Sequence, residues 1–307
     1  MTHLLATVTV PLVTAFDREG RPDPEGVARL LGHVAEGGIS SLMLLGSNGE
    51  GVAVETAEVG PYVAAVRERW ARLAGPSGKV LVAVSGPATR QTLARARAAL
   101  DAGADALVVN APYYFRHTDE ELLDHYGRVD ALGGRWIAYN IPRYTGNPLG
   151  PQLVGHLAAL EHCAGVKDSG GDPAVLAGFV AHAADRPGFA VSQGAESAMV
   201  DGLLAGAVGI TPGLANLAPG PCVSLLTAVQ DGDEPAARDR QSALDRLAAL
   251  HTIRPGVAAT KAALALLGLL DGPAAVPAAP FRPYTPDENA RLSALLHASA
   301  ELLPGGR

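Results

Sequence analysis

WIAYNIPRYTGNPLGPQLVGHLAALEHCAGVKDS, residues 136–169, holds one complete strand–helix–strand unit. Trp136–Tyr139 is a short apolar run of strand type, Pro151–Leu160 has helical spacing, and Ala164–Val166 is a second apolar run. Neither run alternates apolar with polar residues, so both faces of each strand are expected to be buried, as in a parallel sheet covered by helices. The same unit recurs on either side. Strand-type runs lie at Thr7–Val10, Ser41–Leu45, Val80–Val84, Ala106–Val109, Phe189–Val191 and Ala207–Ile210. Helical spacing fills Pro24–Glu36, Thr56–Arg72, Arg90–Ala102, Asp119–Ala131, Asp172–Ala184 and Ala195–Ala205 between them.

Eight such strands predict an α/β fold closed into a (β/α)8 TIM barrel, with an open doubly wound sheet as the alternative. After Pro212 the strand signals stop. Ala/Leu-rich helical stretches at Pro221–Gln230, Glu234–Leu250, Gly256–Leu269 and Pro286–Leu303 read as a C-terminal helical extension. The expected division is a barrel over 1–215 and an extension over 216–307, with GPAAVPAAPFRP, Gly272–Pro283, as an ordered crossing loop.

The 307 residues carry a formal net charge of −7, and the basic residues are scattered, so no electrostatic footprint for nucleic acid is expected. No apolar stretch reaches the length of a membrane span, and Met1–Val10 lacks the features of a leader, which makes the cytoplasm the expected compartment. Cys163 and Cys222 read as small buried hydrophobes. His117, His125, His156, His162 and His182 show no metal-ligand spacing, so no metal is expected.

In a parallel barrel the chemistry sits where strands end, and polar residues there are the candidates. The sixth strand runs into Gly165-Val166-Lys167-Asp168-Ser169. Of three lysines, Lys79 precedes its strand at the opposite rim and Lys261 lies in a C-terminal helical stretch, which leaves Lys167 at the mouth. A desolvated lysine loses proton affinity, and its neutral amine attacks a ketone to give an imine, an electron sink for an adjacent carbanion. The competing reading is a salt bridge from Lys167 to Asp168, Glu50 or another rim carboxylate. Tyr139 ends the fifth strand, where a phenol can pass a proton to a carbinolamine, or simply cap the packing. The second strand runs into Gly46-Ser47-Asn48-Gly49-Glu50-Gly51, whose exposed N–H groups and following helix dipole suit a substrate carboxylate. Tyr113 and Tyr114 follow the fourth strand and read as either rim hydroxyls or an aromatic plug.

Together these segments resemble the dihydrodipicolinate synthase and N-acetylneuraminate lyase superfamily, nearly end to end. The matching stretches are PLVTAF (Pro11–Phe16), GSNGE (Gly46–Glu50), PYY (Pro112–Tyr114), YNIP (Tyr139–Pro142) with Gly146, and GVKDSGGD (Gly165–Asp172), in the family's order. The resemblance implies a class I pyruvate-dependent lyase with no cofactor beyond a covalent imine to Lys167. It makes Tyr139 the proton relay, Ser47 its hydroxyl partner, and Tyr114 a tyrosine lent across a dimer interface, in a homodimer or dimer-of-dimers tetramer. The pyruvyl carboxylate would sit on Ser47, Asn48 and Gly49. Arg143, Tyr144, Ser169 and Gly194 would hold the second substrate, an aldehyde, while Ile210 and the Gln193–Gly194 turn line the pocket.

One departure bears on specificity. The family's synthases read YNxPxRTG, with an arginine for the second substrate's carboxylate; here Tyr144 occupies that place and Arg143 stands one residue early. Asn48 and the GSNGE and KDSGGD pairing look more like the 4-hydroxy-2-oxoglutarate and sugar-acid aldolase branches. The expected function is therefore an aldolase of that type, making or breaking a carbon–carbon or carbon–oxygen bond. A synthase condensing pyruvate with aspartate semialdehyde is the alternative, and a non-catalytic 2-oxo-acid-binding barrel the second.

Overall fold

The computed structural model describes residues 3–304; Met1 and Thr2 of the stretch read for a leader, and 305–307 at the end of the expected extension, lie outside the described residues. Eight strands form one parallel sheet in sequential order: β1 (Thr9–Pro11), β2 (Ser41–Leu44), β3 (Lys79–Ala83), β4 (Ala106–Asn110), β5 (Trp136–Asn140), β6 (Cys163–Asp168), β7 (Ala190–Gln193) and β8 (Gly209–Ile210). The sheet closes. Val8 bridges Ile210 in parallel, and the Ile210 N–H donates to the Thr7 carbonyl at 3.1 Å, which rules out the open sheet.

The connecting helices are α1 (Ala28–Glu36), α2 (Thr56–Ala74), α3 (Thr89–Asp101), α4 (Asp119–Asp130), α5 (Pro142–Thr145), α6 (Pro151–Ala158), α7 (Pro173–Ala184), α8 (Met199–Leu204) and α9 (Pro219–Gln230). α10 (Glu234–Ala248), α11 (Val257–Leu266) and α12 (Pro286–Ala298) follow. α9 packs against α1, and His33 bonds the carbonyl of Leu217 just ahead of α9 at 3.1 Å, so this helix stands in the ring around the barrel, and α10 packs against it. Among the described residues no helix is long and apolar enough to cross a membrane.

Two apolar layers hold the barrel. Leu5, Met43, Leu81, Val108, Ile137 and Tyr139 fill the lumen, while alternate strand residues such as Leu42, Val82, Val109 and Val166 face the helices in a larger shell. Period-two alternation therefore exists, but with apolar residues on both faces, which is why the strands read as continuous runs. The helix starts follow local chemistry. Thr118 and Glu121 form a capping box at α4, and Asp172 and Asp233 cap α7 and α10. Pro24–Val27, expected as helix, form turns ahead of α1, because Asp23 bonds the Glu25 N–H and Val27 offers no capping side chain. The Gly272–Pro283 crossing is ordered by the Ala278 N–H, which donates to Glu50 Oε2 at 2.7 Å.

Candidate active site

The register of β5 against β6 pairs Tyr139 with Lys167, so phenol and amine stand side by side. Lys167 lies within β6, is 4 % exposed, and places Nζ 3.8 Å from the centroid of the Tyr139 ring. Among the described residues neither Asp168 nor Glu50, the carboxylates that competed for it, lies within salt-bridge distance of it. Asp168 Oδ1 accepts from Asn140 Nδ2 at 2.7 Å and from Gly170 N–H at 3.0 Å, and Glu50 Oε1 sits 2.6 Å from Lys261 Nζ. Among the described residues Lys167 has no salt-bridge partner.

Tyr139 Oη lies 3.3 Å from Ser47 Oγ, which joins the end of β5 to the turn after β2. Burial pushes the phenol up. The positive charge of Lys167 and hydrogen bonding from Lys167, Ser47 and Ser169 outweigh burial, and the phenol is held below its ordinary value.

The Gly46–Gly51 turn is built by close packing. A Cβ on Gly49 would come within 2.8 Å of the Leu45 nitrogen, and one on Gly51 would run into the Leu45 carbonyl. Leu45 and Glu50 adopt positive φ, 57° and 49°, to make the reversal. Thr14 Oγ1 donates to Gly49 O at 2.6 Å and Arg95 Nη2 donates to the Gly51 and Val54 carbonyls, which leaves Ser47 and Asn48 at the pocket. Among the described residues their N–H groups have no acceptor in the chain. The helix-dipole part of the anion argument needs correction. The turn leads into a short 3-10 segment, Gly51–Ala53, and α2 begins only at Thr56 behind its own Glu55–Glu58 capping box. Any anion there relies on the turn's own donors.

A cavity of about 360 Å³ opens over these groups. Of the expected residues it brings together Ser47, Asn48, Tyr139, Arg143, Tyr144, Lys167, Ser169 and Gly194. Three are placed elsewhere. Gly49 is packed under the turn, Ile210 is fully buried in the outer shell, and Gln193, 3 % exposed, turns its side chain onto the Ala195 N–H. Tyr114 also stands outside the cavity, 85 % exposed at φ 87°, with its ring edge-on to Phe115. Arg143 is exposed and stacks over the Tyr144 ring at 5.0 Å. The cavity wall also includes Thr211, Glu196, Asp245 and His251. Thr211 follows β8 directly and Glu196 stands three residues past the end of β7, and the strand-end rule finds them once Ala195 is not taken into a helix. Asp245 and His251 come from the extension, where nothing in the helical spacing marks them.

A family model described as the dihydrodipicolinate synthetase family matches residues 4–299. An uncharacterized DapA-like lyase of Halobacterium salinarum is 35% identical over 289 residues, 94% of this chain and 91% of that protein. The 4-hydroxy-tetrahydrodipicolinate synthase of Corynebacterium diphtheriae is 31% identical over 88% of each chain. Among solved structures, the dihydrodipicolinate synthase of Thermotoga maritima superposes with a TM-score of 0.89 at 26% identity, covering 97% of this chain and 99% of that one. YagE of E. coli K12, a prophage protein solved in complex with pyruvate, gives a TM-score of 0.88 at 28% identity over 96% and 99% of the two chains. With its sequential eight-stranded barrel and a family match spanning nearly all of its length, the chain belongs to the dihydrodipicolinate synthetase family.

Proposed function

We propose that the chain is a class I lyase that forms an imine between Lys167 and pyruvate or a related 2-oxo acid, and then makes or breaks a carbon–carbon bond to an aldehyde. The observation that carries this is a buried lysine beside a phenol of lowered pKa, with no carboxylate within salt-bridge distance among the described residues. The pyruvate bound to the related YagE points to the same substrate.

In this reading the free amine of Lys167 attacks C2 of the 2-oxo acid, whose carboxylate rests on Ser47, Asn48 and their N–H groups. Tyr139 donates a proton to the departing hydroxyl, and loss of water leaves the iminium. The iminium withdraws electrons from C3, so that C3 loses a proton and adds to an aldehyde carbonyl; in reverse, the C3–C4 bond breaks and the aldehyde leaves. Water then frees Lys167. Ser47 keeps the Tyr139 hydroxyl aligned through these transfers. Tyr114 is the hydroxyl a second subunit lends, which makes the working unit a homodimer or a dimer of dimers. Arg143 and Tyr144 face the second substrate at the rim.

The names of the curated relatives favour a synthase acting on aspartate semialdehyde. Against that, Tyr144 stands where the synthases have their carboxylate-gripping arginine, and aldolase chemistry of the 4-hydroxy-2-oxoglutarate or sugar-acid type remains our reading. The test is intact-protein mass after incubation with pyruvate and borohydride, which reduces an imine to a stable amine. A pyruvyl adduct on the native chain and none on Lys167→Ala is the expected result. An adduct retained by Lys167→Ala, or absent from the native chain, would overturn the proposal.

A further inference from the structure

We infer that Asp168 is a positioning residue for the imine chemistry: one of its oxygens, Oδ1, pins the ends of β5 and β6 together and so aims Ser169 at the phenol beside Lys167; this rests on the imine reading above. β5 and β6 finish on two rungs, Tyr139 opposite Lys167 and then Asn140 opposite Asp168. Side chains alternate along a strand, so the first pair faces the cavity and the second turns away from it. Asp168 is accordingly not part of the cavity wall.

The outer pair is polar yet closed to solvent, Asn140 and Asp168 being 2 % and 1 % exposed. Only half of the carboxylate is used. Oδ1 accepts from Asn140 Nδ2 at 2.7 Å and from the Gly170 N–H at 3.0 Å, whereas Oδ2 is buried and has no hydrogen-bond partner among the described residues. An unmet buried oxygen costs stability, and apolar side chains in place of such a pair can be nearly neutral, so stability alone is a poor reason for an acid here.

The two bonds that Oδ1 makes both act on the site. Asn140 passes the tie onward, because its Oδ1 accepts the Leu149 N–H at 3.0 Å and draws the segment after α5 to the same point. Gly170 folds the chain back over Ser169, the two-residue reach by which an aspartate closes a turn on its own backbone. That turn is tight: a Cβ on Gly170 would stand 3.0 Å from Asn140 Nδ2 and 3.1 Å from Asp168 Oδ1. Ser169 lies inside it, with its N–H donated to the Asn140 carbonyl at 2.9 Å, while the Asp168 carbonyl takes the Gly194 N–H at 2.6 Å. Held from both sides, Ser169 lines the cavity, and its hydrogen bonding helps to keep the Tyr139 phenol below its ordinary value. What the site draws from Asp168 is an acceptor in a fixed place rather than a charge.

The experiment follows pyruvyl adduct formation by mass after timed borohydride quenching, over a range of pyruvate concentrations. It compares the native chain with Asp168→Ala, Asp168→Asn, Ser169→Ala and the double variant Asp168→Ala/Ser169→Ala. Asp168→Ala should lower the limiting rate on the order of 10²-fold, the loss for a reacting group misplaced by about an ångström. Half-saturating pyruvate should not move, because its carboxylate rests on the turn at Ser47 and Asn48, which Asp168 does not touch. Asp168→Asn keeps an oxygen in the place of Oδ1 and should recover most of the rate. Ser169→Ala alone should slow the adduct about tenfold, the worth of one hydrogen bond, but should cost nothing further in the Asp168→Ala background, where the aim is already lost. Three results would overturn the inference: Asp168→Ala at the native rate, Asp168→Asn as slow as Asp168→Ala, or Asp168 and Ser169 losses that multiply. Gly170→Ala keeps the aspartate and presses on both of its bonds, so it serves if Asp168→Ala does not fold; it should also slow the adduct, and a native rate there would be equally fatal. No adduct on the native chain sinks the imine reading itself, whereas a native adduct with indifferent variants sinks only this one.

Discussion

Lys261 Nζ lies 2.6 Å from Glu50 Oε1, inside the protein, and ties the C-terminal extension to the turn that carries Ser47. Lys261 is fully buried; its ammonium also donates to the Val276 carbonyl at 3.2 Å and sits 4.6 Å from the centre of the Phe16 ring. Glu50 completes the clamp through Oε2, which takes the Ala278 N–H. A lysine that reads in sequence as part of an ordinary helical stretch thus holds a left-handed residue of the site turn in place. Leaving either partner alone in this interior strands a buried charge, which is far costlier than removing both.

Lys261→Met is therefore expected to destabilise the chain by about 3–5 kcal/mol at neutral pH. Burial already holds the Glu50 carboxyl above its ordinary range, against the pull of Lys261 and the Ala278 amide. Without Lys261 that folded pKa climbs further. A group whose folded pKa exceeds its unfolded one stabilises most below the unfolded value and loses that contribution as pH rises through the folded value. The deficit of Lys261→Met should thus shrink from pH 8 toward pH 5. Glu50→Gln should slope the other way, because burial holds Lys261 below its ordinary value and its contribution fades as pH falls through that depressed value. Urea denaturation at several pH values checks both, and parallel pH slopes would contradict the account.

Tyr139 links pH to rate. Its phenol is held below its ordinary value, so kcat/KM should fall on the alkaline side with an apparent pKa under 10. Tyr139→Phe should lose that limb together with about 10²–10⁴-fold in kcat. In Ser47→Ala the phenolate loses a donor at 3.3 Å, which raises the tyrosine pKa and moves the limb to higher pH. Profiles of the native chain and Ser47→Ala that coincide would mean the two hydroxyls are not coupled.

The barrel was legible because each strand keeps apolar residues on both faces, and eight unbroken runs such as Ala106–Val109 recur with helices between them. Lys167, Tyr139 and Ser47 were legible because each ends a strand or opens a turn, where a polar residue has no packing reason to be. Gly49 and Ile210 share that neighbourhood in sequence, yet the alternation of side chains and the tight packing of the turn bury them away from the cavity. Asp245, His251 and the Glu50–Lys261 pair were not legible. His251 meets Glu196 and Lys261 meets Glu50 only through the fold, and helical spacing says which face is apolar, not that Asp245 on the other face lines a cavity.

Gly194 tests how tightly the amine is seated. A Cβ there would press on Ser169 Oγ, come within 2.9 Å of the Asp168 carbonyl and reach Lys167 Cε at 3.0 Å. Its own N–H donates to that carbonyl at 2.6 Å, so the backbone has little room to retreat. Gly194→Ala should slow pyruvyl adduct formation on the order of 10²-fold, the penalty for misplacing a reacting group by about an ångström, as read by mass after timed borohydride quenching. Adduct formation at the native rate would show that Lys167 tolerates the shift.

Tyr114 tests whether the site is shared. Its backbone is held at φ 87°, a conformation that costs a non-glycine residue about 1–3 kcal/mol, while the ring is largely exposed and stands edge-on to Phe115. Asn147 sustains the loop: its Nδ2 donates to the Pro112 carbonyl at 2.9 Å and the Phe115 carbonyl at 2.7 Å, and its Oδ1 accepts the His117 N–H at 2.9 Å. A strained residue kept exposed by a buried asparagine makes sense if a neighbouring subunit's pocket receives it. If so, Lys167→Ala and Tyr114→Ala are each inactive alone, yet a mixed and reassociated population recovers activity, because a hybrid dimer holds one site with both groups. Random pairing across a two-fold interface puts about a quarter of all sites in that state. Recovery near that fraction supports a shared site. No recovery from well-mixed hybrids, with each parent folded, would assign Tyr114 to a surface role and leave Lys167, Tyr139 and Ser47 to act within one chain.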